Sequence, residues 1–149
     1  MTLGSDRIER EILINAPVER VWRLVSEPGW WIGDGDPANR MVTREGDLTV
    51  IDFPPYGRFP VLPISADAPL HVSFRVSDDP SQRPAEATAT LVEFFLVEQE
   101  AHTVLRVVES GFAARYPSPE TRAAAIADNI DGWEMQLDVA RRAAERASV

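Results

Sequence analysis

Polar and apolar positions alternate from the start of the chain. Ile8, Ile12 and Ile14 share one face of an extended segment, with Arg10 as the exception, and Arg7, Glu9 and Glu11 lie opposite. That period predicts a strand over Arg7 to Ile14. The spacing then becomes helical at Val18, Val21, Trp22 and Val25. Asn15 is a candidate cap for this helix, and Pro17 suits its first turn because the missing N–H would be unpaired there. Pro28-Gly29 ends it, and Trp30, Trp31 and Ile32 open a second short helix or a turn that stops at Gly33-Asp34-Gly35-Asp36-Pro37. Met41 to Arg44 and Leu48 to Phe53 are predicted strands around Glu45-Gly46-Asp47. Pro54 to Pro69 holds five prolines, which argue against a central strand because each lacks a ladder donor. An edge strand or an extended loop flanking a pocket mouth is expected there.

Three stronger strands follow. Leu70, Val72, Phe74 and Val76 alternate with His71, Ser73, Arg75 and Ser77. After a polar turn over Asp78 to Pro84, Thr88 to Val97 and Thr103 to Phe112 are apolar and rich in β-branched residues, joined by a hairpin at Glu98 to His102 that lacks a glycine. A helix opens at Pro119-Glu120, with Ser118 as its cap, and runs to about Arg146. Within it Ile126, Ile130, Trp133, Leu137, Ala140 and Ala144 fall at steps of 4, 3, 4, 3 and 4, one apolar stripe turned towards the sheet. The pattern is that of an α+β protein: a sheet folded around one long terminal helix, an arrangement able to leave a cavity between them.

Composition narrows the function. A chain of 149 residues is read as a single domain spanning 1–149, long enough for a proper core. Its net charge of −9 is spread along the chain with no basic stripe, which argues against nucleic acid. Without lysine or cysteine, Schiff-base chemistry, thiol nucleophiles, disulfides and cysteine metal sites are excluded. No apolar run reaches the ~20 residues of a membrane span, and no secretory signal opens the chain, so a cytoplasmic location is expected. There is no phosphate loop, no dinucleotide fingerprint and no Gly-x-Ser-x-Gly elbow; neither a cofactor nor a catalytic set is assigned.

Taken in order, Ala16-Pro17, Val21-Trp22, Trp31, Glu109-Ser110-Gly111-Phe112 and Gly132-Trp133 with Leu137 resemble the SRPBCC proteins. Within them, the chain is similar to the branch of homologues of the heat-shock-protein-90 ATPase activator. The resemblance spans nearly the whole chain, although the glycines usual before the Thr103 strand are missing and Pro54 to Pro69 is unusually proline-rich. It implies a helix-grip (START-like) fold: a curved antiparallel sheet around a long C-terminal helix, with two short N-terminal helices. It also implies a small hydrophobic ligand held between sheet and helix. Alternatives are a polyketide cyclase- or hydratase-like enzyme using a cavity carboxylate, and a cochaperone-like partner of a heat-shock-protein-90 relative. Many relatives form homodimers.

On this reading Trp31, Phe53, Phe74, Phe94, Phe112, Trp133 and Leu137 line the cavity, with Glu109 as a polar anchor. Glu109 lies inside an apolar strand, where burial would raise its pKa; facing outward or pairing with Arg75 or Arg106 is the alternative. Arg10 and Arg106 are expected at edge or rim positions, because an unpaired buried guanidinium is very costly. Gly132 costs its helix about 1 kcal/mol relative to alanine, which close packing or cavity space must offset. His71 is expected to face solvent and His102 to sit in a turn. Asp34, Asp36 and Asp47 lack the spacing of a calcium loop, Ala38 standing where the third ligand would fall, so no metal site is expected.

Overall fold

The computed structural model describes residues 6–77, 79 and 81–146. Seven antiparallel strands form one sheet: β1 (Arg7–Ile14), β2 (Met41–Glu45), β3 (Leu48–Phe53), β4 (Gly57–Asp67), β5 (His71–Val76), β6 (Thr90–Gln99) and β7 (His102–Ser110). Their order is β1-β7-β6-β5-β4-β3-β2, so the first strand is carried to the far edge beside the last. Helix α1 (Val18–Val25) follows β1, a four-residue helix α2 (Phe112–Arg115) follows β7, and α3 (Pro119–Arg146) closes the chain. Helix α3 packs on β1 and α1. No described helix is long and apolar enough to cross a membrane.

Alternation builds the concave face. Val72 and Phe74 of β5, Val92, Phe94 and Leu96 of β6, and Leu105 and Val107 of β7 are buried in one cluster with Trp133, Leu137, Ala140 and Ala144 of α3. Val18, Val21 and Val25 of α1 close one end of it.

Several local expectations change. The cap of α1 is Pro17, not Asn15: the Pro17 carbonyl accepts from Arg20 and Val21, while the Asn15 N–H donates to Glu145 of α3. Trp30, Trp31 and Ile32 form turns, with N–H donation from Trp30 to Glu27 and from Ile32 to Gly29. The second N-terminal helix is thus reduced to a 3-10 turn at Pro37–Asn39. The proline-rich stretch is the largest correction, for β4 is an internal strand between β3 and β5. Pro63 is accommodated because the register slips beside it, between Pro63 and Ser65, and a bulge is where a ladder tolerates a missing donor. Pro60 serves as an acceptor, taking the Ser77 N–H on its carbonyl. The expected polar turn includes Asp78 and Pro80, which lie outside the described residues.

Candidate functional site

Glu109 is placed by strand register. It pairs with Val92 of β6 and Ile8 of β1, both buried, and so continues the inward row of Val107 and Leu105. Only 4% of it is exposed. Arg75 donates instead to the Ala89 carbonyl, and Arg106 pairs with Glu9 on the other face of the sheet. Arg10, opposite Val107 on the edge strand, reaches out to Glu134 of α3, a rim position as expected.

Neutral donors hold the carboxylate. Thr90 Oγ1 donates to Oε2 at 2.5 Å and Trp133 Nε1 to Oε1 at 2.8 Å. Asn129 Nδ2 reaches both oxygens at 3.1 and 3.2 Å. Asn129 and Trp133 stand one helical turn apart on α3, so both face the same strand. Burial raises the Glu109 pKa above its ordinary value, and the bonds from Thr90, Trp133 and Asn129 oppose that rise.

Beside this group lies a cavity of about 270 Å³. Of the residues expected to line it, Trp31, Glu109 and Trp133 do. Phe74, Phe94, Phe112 and Leu137 are buried in the core outside its wall. Phe74 and Phe94 back Trp31 at ring distances of 5.5 and 5.4 Å, and Trp133 stands 5.8 Å from Trp31, spacings at which aromatic pairs attract. Phe53 is elsewhere, against Tyr56 in a separate depression near β3. The wall also includes Phe59, Thr90, Tyr116, Asn129 and Gln136, which sequence reasoning did not assign. Phe59 was hidden in the proline-rich stretch. Asn129 had a readable signal, its four-residue spacing from Trp133.

Gly132 lines the cavity too, and a Cβ built there meets nothing within 4 Å. Space beside the helix, not close packing, accompanies this glycine. His71 and His102 are outside the wall; His71 is half-buried on the other side of the sheet, bonded to Glu93 at 2.9 Å and with its ring tilted against that of Phe95 at 4.7 Å, because its strand neighbours shield it from solvent. Asp34 accepts from the Asp36 N–H and from Asn39, which closes the acidic loop on itself. Among the described residues no three metal-ligating side chains converge.

A curved antiparallel sheet gripping a long C-terminal helix, with a cavity between them, is the helix-grip fold. Solved structures share it. The chain is similar to the Aha1 dimer from Colwellia psychrerythraea, with a TM-score of 0.69, 15% identity, and 93% of this chain and 96% of that one covered. It is similar to the Zhui aromatase/cyclase from Streptomyces sp. R1128, with a TM-score of 0.65, 15% identity, and coverage of 96% and 95%. It is also similar to a protein from Arthrobacter aurescens, with a TM-score of 0.67, 15% identity, and coverage of 98% and 90%. No family model and no curated protein matches the chain. The likenesses agree with the resemblance to SRPBCC proteins, and at this identity they establish the fold.

Proposed function

We propose that this protein binds a small, largely hydrophobic molecule in the cavity between sheet and α3. The observation that carries the reading is the site itself: about 270 Å³ walled by Trp31, Phe59, Trp133 and Tyr116, with a buried carboxylate at its side. Apolar walls with few polar groups are the usual make-up of ligand sites. A cavity of roughly 150 Å³ accepts benzene, so this one suits a guest of about two fused rings. The empty space beside Gly132 provides the test. Titration with 2-naphthol, followed by tryptophan fluorescence, is expected to saturate in the wild type and to weaken at least about tenfold in Gly132→Leu, whose side chain occupies the cavity. Equal affinity in both proteins places the probe outside the cavity and refutes the reading.

A second reading is an enzyme of the cyclase or hydratase kind, favoured by the carboxylate in the cavity and by the likeness in fold to the aromatase/cyclase. Binding takes precedence because each Glu109 oxygen already accepts from protein donors, an arrangement suited to holding charge more than to passing protons. Glu109→Gln separates the two: retained binding with lost turnover would move the assignment to the enzyme.

A further inference from the structure

The cavity's polar group has an unusual set of partners. Among the described residues Glu109 is bonded by a hydroxyl, an indole and an amide, and by no cation. A carboxylate offers about four lone-pair sites, and four contacts reach them: Thr90 and Asn129 on Oε2, Trp133 and Asn129 on Oε1. A neutral guest that donates a hydrogen bond must therefore displace a protein donor. A cation needs no lone pair. It is attracted by the whole negative charge, and that attraction is stronger beside a buried carboxylate than in bulk water.

The walls favour the same guest. The rings of Trp31, Phe59, Trp133 and Tyr116 surround the space, and aromatic rings attract cations through their quadrupole. Two other charged groups reach the wall, Arg115 of α2 and Asp128 of α3. Arg115 lies over Tyr116, its Cζ 4.5 Å from the ring centroid, and its charge also acts on Asp79. Asp128 is exposed. Asp128 is therefore screened by solvent, and Arg115 is not among the groups bonded to Glu109, so the buried carboxylate is the charge that a guest meets.

We propose that the guest is a small aromatic organic cation, its charge held between the Glu109 carboxylate and the rings of Trp31 and Trp133. This deepens the binding reading above and rests on it. Burial of a carboxylate with no countercharge is costly, and a cationic guest offsets that cost on binding.

Calorimetry with N-methylquinolinium, 2-naphthol and 2-naphthoate separates charge from donor capacity, since the first carries charge and no N–H, the second a donor and no charge, and the third the opposite charge. At pH 8 the quinolinium is expected to bind at least about tenfold more tightly than 2-naphthol, and 2-naphthoate the weakest of the three. Glu109→Gln is expected to weaken the quinolinium about tenfold while changing 2-naphthol by less than about threefold. The wild-type ranking needs no variant, and Asp128→Asn, on the exposed face of α3, should alter it little. Tighter binding of 2-naphthol than of the quinolinium overturns the cation proposal and leaves the cavity as a neutral site. A loss confined to Asp128→Asn moves the charge effect to the surface and overturns it equally. Saturable binding by none of the three overturns both this proposal and the binding reading.

Discussion

Glu109 shows how one residue's setting determines its physics. Its pKa is raised from an ordinary 4.5 because burial penalises the ionised form. Between that value and the higher one in the fold, the native protein holds more protons than the unfolded chain. Stability is therefore full below the lower value and falls as pH rises through the upper one. Urea denaturation from about pH 4.5 to 8 should show this decline in the wild type and not in Glu109→Gln; an identical decline in the variant would mean another group is responsible. Gly29 is a second residue whose role is local. It has φ +75°, and a Cβ there would stand 2.6 Å from Cγ1 of Ile51. Gly29→Ala should cost about 1–3 kcal/mol by overpacking, measurable as a lower urea midpoint with unchanged slope. The inward aim of Glu109 was not legible in the chain, since Val107 and Val108 flank the question with apolar side chains on both faces; pairing with Val92 resolved it.

At the scale of elements, periodicity carried most of the prediction. β1 and α3 occur where alternation and the helical stripe placed them, because each buries a single face and so leaves a clear period in the sequence. β4 was misread, because its prolines disguise an internal strand whose bulge absorbs one of them. The β6–β7 hairpin was read correctly despite lacking glycine, and the structure shows the consequence: Glu100 of the Glu100-Ala101 turn sits at φ 58°. Left-handed backbone costs an ordinary residue roughly 1–2 kcal/mol. Part of that returns as glycine's greater unfolded-state entropy, so Glu100→Gly should stabilise the protein by about 1 kcal/mol, read as a rise in the urea midpoint. No rise would show that the neighbouring strands, not the turn residue, bear the strain.

For the whole molecule, charge is the property legible without a structure. A net charge of −9 opposes compaction by self-repulsion. Raising sodium chloride from about 0.01 M to about 1 M shortens the screening length from about 30 Å to about 3 Å. The thermal midpoint is expected to rise by a few degrees across that range in scanning calorimetry. A fall would indicate that specific pairs such as Arg83–Asp47 and Arg58–Glu45 outweigh the general repulsion.

Local patterning sufficed for the strands other than β4 and for the long helix, because burial of one face imposes a period that side-chain order alone reveals. The cavity had to wait for three-dimensional assembly. Trp31, Phe59, Glu109 and Trp133 come from a turn, two strands and a helix far apart in sequence. Whether such side chains meet, or leave room between them, depends on sheet curvature and on how closely α3 settles beside Gly132, and neither leaves a repeat in the chain. The buried aromatics Phe74 and Phe94 illustrate the limit: their hydrophobicity foretold burial, and only the packing of Trp31 over them decided that they support the wall instead of forming it.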